Sequence, residues 1–188
     1  MKIKCMLDKT EYKNKPQGIE IAKITKRLVD SKVEIEIEEL ANKLSYGCTF
    51  KPSLLNGTKE TDWQEQQLFA LDFDEGTTIT EILNKCKKLN ILPVFIYTSF
   101  SHTEEHHKFR VVFCTNEVIT NYENAKKLQL TLMNIFDKSD IKCKNLSRLY
   151  FGGRNLVYLK EENRINHLEL MGKYPIIIEN KPVNTTSK

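Results

Sequence analysis

No stretch of 18 consecutive apolar residues occurs in these 188 positions, which excludes a helical membrane span. The opening MKIKCMLDKTEYKNK has no apolar segment long enough for a secretory leader, so a soluble, cytoplasmic protein without membrane contact is expected. Cysteine is present but unpatterned. Cys5, Cys48, Cys86, Cys114 and Cys143 are odd in number, widely spaced and without a CxxC, which argues against a disulfide framework and against a zinc knuckle. No internal repeat occurs. The GxxxxGK[ST] loop of helicases is missing too, so any unwinding would come from another chain, such as a separate replicative helicase, or from a region outside these residues. Charge of one sign is not in large excess: 29 basic against 25 acidic residues leave a net +4, too mild to identify a nucleic-acid binder by itself.

What is present suffices for a folded domain. A chain of this length buries about 70% of its unfolded surface and needs no staples. Helical spacing of apolar residues predicts helices over 19–28 and 35–44, the second closing near Gly47. Residues 50–62, with Pro52 and Gly57, read as loop. A strand is predicted over 67–74 and ends at Gly76. Thr78 and Glu81 have capping-box spacing ahead of a helix to about Asn90, with Ile82, Leu83, Cys86 and Leu89 on its apolar stripe. Residues 93–99 and 109–114 are rich in β-branched and aromatic residues and flank a polar loop, which predicts an antiparallel hairpin. Thr120 and Glu123 suggest a second capping box before a helix reaching Phe136, with Leu128, Leu132, Ile135 and Phe136 inward. Short strands are predicted at 149–151 and 155–159, and 181–188 is a polar tail. The hairpin argues against a purely parallel sheet, so the expected class is α+β with a mostly antiparallel sheet.

The segment LFALDFDEG (68–76) carries the strongest chemical signal. Side chains alternate along a strand, so Phe69, Leu71 and Phe73 can enter a core while Ala70, Asp72 and Asp74 share the other face. Two carboxylates on one face repel, and a shared proton or a divalent cation relieves them. An all-carboxylate set suits hard ions such as Mg2+ or Mn2+, which bind few carboxylates together with substrate phosphates. The same acids could equally open a solvated turn before Gly76.

A second constellation lies on the hairpin. Tyr97-Thr98-Ser99-Phe100-Ser101-His102-Thr103 is followed by Lys108-Phe109-Arg110, and alternation puts Lys108 and Arg110 on one face. Hydroxyls, an imidazole and a guanidinium together suit phosphate oxygens, although Ser and Thr here could also satisfy their own turn. His102 and His106 have a helical metal spacing but sit between strands without further ligands, so no zinc site is expected there. A third segment, 137–154, alternates Asp137 and Asp140 with Lys142, Lys144, Arg148 and Arg154. It reads either as functional or as a solvated loop of mixed charge.

In order and spacing, ALDFDEG (70–76), YTSFSHTEEHHKFRVVF (97–113) and DIKCKNLSRLYFGG (140–153) resemble the three motifs of the archaeo-eukaryotic primase superfamily, nearest its phage, plasmid and mobile-element primase-polymerases. The likeness covers about residues 48–160. Two positions depart from the pattern: Phe100 stands at a usual serine, flanked by Ser99 and Ser101, and Asn145 stands where an acid is frequent. The resemblance implies a primase-polymerase fold, with an RNA-recognition-like antiparallel palm over 67–160 packed with an N-terminal α/β unit over 1–66, in a single catalytic domain spanning 1–180. It implies a nucleotidyltransferase: a DNA primase or DNA-directed polymerase using two Mg2+ or Mn2+ ions, a single-stranded DNA template and nucleoside triphosphates. Asp72, Asp74 and Asp140 would be the catalytic metal ligands. Ser99, Ser101, His102, Arg110, Lys144 and Arg148 would hold the nucleotide. A monomer acting in DNA replication is expected. The alternative is a catalytically silent replication protein of the same fold that binds single-stranded DNA or an origin, and a nuclease using the same metal chemistry is a third reading.

Overall fold

The computed structural model describes residues 2–176, so the tail at 181–188 lies outside the described residues. Two sheets organise the chain. The smaller has the order β2-β1-β3, from β1 (Lys2–Asp8), β2 (Lys32–Glu36) and β3 (Thr49–Lys51). The larger has the order β4-β5-β7-β6-β8, from β4 (Ser53–Leu55), β5 (Trp63–Phe73), β6 (Phe95–Ser99), β7 (Phe109–Ile119) and β8 (Gly153–Leu159). Every strand pairing in both sheets is antiparallel. The helices are α1 (Ile19–Val29), α2 (Ile37–Ser45), α3 (Ile79–Leu89), α4 (Tyr122–Ile135) and α5 (His167–Lys173). The class is therefore α+β, as expected, and β6 with β7 forms the expected hairpin.

Register decides which face each side chain takes. Asp72 of β5 opposes Arg110 of β7, and Arg110 opposes Tyr97 of β6, so these three form a row across one face. Phe69, Leu71, Phe73, Phe109, Val111 and Phe113 occupy the other. There Phe73 stacks on Phe109 at 5.1 Å, and Phe113 stacks at 5.5 Å on Phe136, just past the end of α4. Burying each phenylalanine is worth roughly 2 kcal/mol, so this face anchors the sheet. The opposite face is also covered: Ala70 and Asp72 are as inaccessible as their neighbours. One apolar cluster runs from Ile3 and Leu7 of the small sheet through the large sheet to Leu132 of α4. Arg27 of α1 holds Asp8 of β1 with two hydrogen bonds, at 3.1 and 2.7 Å.

Several boundaries differ from the sequence reading. The second helix starts at Ile37 rather than 35, because Val33 and Ile35 alternate with charged residues and pair with β1. It stops where expected, at Gly47, whose φ of 99° is open to glycine. Residues 50–62 are not simply loop: they hold the end of β3, β4 and a turn of 3-10 helix at Glu60–Asp62, elements too short to leave a pattern. The division expected after residue 66 falls inside β5, and β4 already belongs to the large sheet. Thr78 and Glu81 do form the reciprocal box, at 3.2 and 2.7 Å. For α4 the cap is Asn121, not Thr120, its side chain accepting from the Asn124 amide at 2.9 Å. Residues 149–151 form no strand, only a bridge from Tyr150 to Phe50. β1 and α5 were not anticipated.

The glycine pair at the start of β8 permits close approach. A Cβ on Gly153 would overlap the Thr98 carbonyl of β6, and one on Gly152 would overlap the backbone of Gly47. Gly153→Ala is expected to lower stability by about 1–3 kcal/mol, the usual cost of overpacking. Urea denaturation followed by circular dichroism measures it.

Candidate active site

Asp72 is the next-to-last residue of β5 and is buried, like Phe73 after it, and Asp74 follows just beyond the strand, where the chain turns at Gly76 with φ 76°. Asp140 arrives from the far side of α4, capping the 3-10 turn Ile141–Lys144 by accepting from the Lys142 amide at 2.9 Å. Backbone contacts join the two segments. The Asp140 amide donates to the Asp72 carbonyl at 2.8 Å, and the Asp72 amide donates to Cys143 Sγ at 3.3 Å. As a result, one carboxylate oxygen from each of Asp72, Asp74 and Asp140 lies within 4.8 Å of the others. Among the described residues this is the group able to hold a metal ion.

The donor set fits a hard divalent ion. All three ligands are carboxylates, and Asp72 Oδ1 is buried without a hydrogen-bond partner, leaving a lone pair free for one. Two arginines supply the present charge balance. Arg110 Nε lies 3.3 Å from Asp72 Oδ1, while its Nη1 donates to the carbonyls of Phe151 at 2.8 Å and Gly152 at 3.4 Å. Burial works against the Arg110 charge, but Asp72, Tyr97 and Asp74 together outweigh it and hold the guanidinium above its ordinary value. Arg148 Nη2 donates to Asp72 Oδ2 at 2.9 Å and to Asp140 Oδ2 at 3.0 Å. Partial burial pushes the Asp140 carboxyl up, yet the Lys142 amide and Arg148 bring it below its usual value.

A cleft of about 600 Å³ opens over this cluster, a size suited to a nucleotide. Asp72, Asp74, Asp140, Arg110, Arg148, Lys144, Ser99 and Ser101 all line it. Ser99 Oγ is 3.4 Å from Ser101 Oγ, and Phe100 completes that wall. His102 does not line the cleft. It sits in the hairpin loop beside it, with Nδ1 accepting from the Lys108 amide at 3.0 Å and its ring edge-on to His107 at 5.1 Å. In a neutral ring that leaves the proton on Nε2. His106 is exposed, and His107 is half-buried, accepting from the Ile79 amide at 3.2 Å. Asn145, at the position where an acid is frequent, accepts from the Ser147 amide and hydroxyl, both at 2.8 Å.

Other contributors were not placed at the site by the sequence reading, which met Lys142 only within the mixed-charge segment 137–154. Lys15, from the segment before α1, and Lys142 line the cleft, and no ion pair engages either side chain among the described residues. Glu60, in the 3-10 turn before β5, accepts from the Leu146 amide at 3.0 Å and from Lys126 Nζ at 2.7 Å. Lys126 of α4 also donates to the Lys144 carbonyl at 2.6 Å. Together they clamp the loop that carries Lys144 and Arg148. All five cysteines are free and buried, and burial lifts the Cys5 and Cys86 thiols to about 12, so they stay protonated.

No protein-family model matches this chain, and no curated protein does. The fold does have a relative in structure: the primase-polymerase domain, of the archaeo-eukaryotic primase class, from cyanophage S-2L. It superposes with a TM-score of 0.53 at 10% identity, over 77% of this chain and 80% of that one. The fold of this chain is thus similar to that of the cyanophage domain. No helix among the described residues is long and apolar enough to cross a membrane.

Burial raises the Glu60 carboxyl, but Lys126 and the Leu146 amide outweigh it and hold it below its ordinary value. Its stabilisation is therefore complete above about pH 4.3 and is lost as pH falls through the lower folded value. Glu60→Gln is expected to cost about 1–2 kcal/mol at pH 7 and to flatten the fall of stability in acid. Melting curves from pH 7 down to pH 3 test both effects.

Proposed function

We propose that this chain is a primase-polymerase catalytic domain that transfers nucleotides onto a growing strand and makes primers on single-stranded DNA. The observation that supports this most is the meeting of Asp72, Asp74 and Asp140 from two distant segments, within 4.8 Å, under a cleft lined by lysines. The likeness to a phage primase-polymerase in fold supports it independently.

In this reading Asp72, Asp74 and Asp140 hold two divalent ions, Mg2+ or Mn2+. When bound, the ions lower the pKa of a primer 3′-hydroxyl and neutralise charge on the reacting phosphates. The remaining work is orientation. A triphosphate reaching past the cleft wall meets the Nε2 proton of His102 in the hairpin loop beside it, with Ser99 and Ser101 adding hydroxyl donors from the wall itself. Lys144, Lys142 and Lys15, which form no ion pair among the described residues, bring positive charge to the cleft, where it favours a triphosphate and a template backbone. Arg110 acts on the nucleotide through Asp72, whose rotamer it fixes while anchored to the Phe151 carbonyl.

The second reading is a silent single-stranded DNA-binding module of the same fold. It has one observation in its favour: Arg110 and Arg148 pair with Asp72 and Asp140, two of the three acids. Incubation with unprimed single-stranded DNA, labelled nucleotides and each metal discriminates the two. Elongated oligonucleotides are expected with the native chain and none with the Asp72→Ala, Asp74→Ala double variant. Template binding without incorporation favours the silent module, and shortened templates favour a nuclease. His102→Ala should raise the nucleotide KM about tenfold with a smaller change in kcat, reflecting the loss of one hydrogen bond to a charged group.

A further inference from the structure

Arg148 stands where the acidic cluster needs a cation. A single nitrogen, Nη2, bridges Asp72 Oδ2 at 2.9 Å and Asp140 Oδ2 at 3.0 Å. Asp140 Oδ1 caps the 3-10 turn, so Asp140 offers an ion its Oδ2, which Arg148 holds, while Asp72 offers either its unbonded Oδ1, 3.3 Å from Arg110 Nε, or its Oδ2, which Arg148 also holds. An ion shared by Asp72 and Asp140 would therefore meet the guanidinium at Asp140 Oδ2, whichever Asp72 oxygen it takes. Two like charges a few ångströms apart in a partly buried site repel about as strongly as the acids attract either one.

Of the two arginines at Asp72, only Arg148 has somewhere to go. Arg110 is held by the Phe151 and Gly152 carbonyls and packs 5.7 Å from the Tyr97 ring. Its side chain is 7% exposed, against 18% for Arg148, which has no carbonyl partner and lies over Tyr150 at 5.3 Å at the cleft wall. Lys144 and Asn145 line the same wall.

We propose that Arg148 is a resident counter-cation of the cluster: a divalent ion displaces it, and the freed guanidinium turns into the cleft toward the triphosphate. The inference rests on the nucleotidyl-transfer reading of the site. It makes ion binding and nucleotide binding mutually reinforcing, because the ion releases a phosphate-binding group and the triphosphate holds that group away from the acids. It also separates the arginines by task, with Arg110 fixed and Arg148 moving.

The test titrates the full chain with Mn2+ alone, following free ion by electron paramagnetic resonance, without nucleotide or DNA. Arg148→Gln, which removes the charge but keeps a shorter polar side chain, is expected to bind Mn2+ about tenfold tighter than the native chain. Arg148→Lys should fall between them. The same Gln substitution should weaken binding of a non-hydrolysable nucleoside triphosphate in the presence of Mn2+. Equal Mn2+ affinity in the native chain and Arg148→Gln overturns the displacement while leaving the site's identity standing. Failure of every form to bind Mn2+, or binding that persists in the Asp72→Ala, Asp74→Ala variant, overturns the underlying reading and this inference with it. A measurement on the unaltered chain covers the case in which Arg148→Gln does not fold. Guanidinium signals in a 15N-arginine spectrum should include one that loses its protection from exchange when Mg2+ is added, and a spectrum that ion leaves unchanged overturns the proposal.

Discussion

Holding three carboxylates within 4.8 Å of one another is electrostatically unfavourable, and the surrounding structure is arranged to offset it. Asp72 is buried at one end of the row it shares with Arg110 and Tyr97, so its charge cannot be left to water. Arg110 and Arg148 balance it from two sides. Removing one partner from a buried pair typically costs 3–5 kcal/mol, roughly, because the other charge is then stranded. The Asp140 amide and the Cys143 thiol fix the third segment against β5 by backbone contacts, so the approach of Asp140 does not depend on its side chain.

Both faces of the large sheet being covered follows from the same need. A sheet with one wet face would let solvent screen Asp72 and weaken its pull on a cation. Here one face is packed with aromatic rings, and the other carries the charged row beneath the cleft. The site is therefore built on a strand interior, where the backbone is held on both sides, with only Asp74 reaching the exposed turn.

Much of this was legible from residue order. The alternation through Phe69, Leu71 and Phe73 placed β5 and put the acids on the opposite face, and the β6–β7 hairpin and the Thr78 cap were equally plain. What escaped were signals shorter than their own period. β3 and β4 are three residues each, and the alternation at Val33 and Ile35 runs directly into α2, so the two periodicities blur. The α4 cap shifted by one residue because Asn121 offers a carbonyl oxygen as good as a hydroxyl. At the site, the residue types of the three motifs were readable, but not that Arg110 and Arg148 would turn to the acids. That depends on cross-strand register and on a loop path, neither of which residue order states. Lys15, Glu60 and Lys126 were invisible for the same reason, since contacts 66 and 86 positions apart leave no local trace.

The Glu60 and Lys126 clamp has a consequence for engineering. The bend that presents Lys144 and Arg148 is pinned by a glutamate before β5 and a lysine on α4, both outside the three segments 70–76, 97–113 and 140–153. Grafting only those three segments onto another scaffold would carry the ligands without the brace that aims them. A working transplant would have to bring Glu60 and Lys126 along.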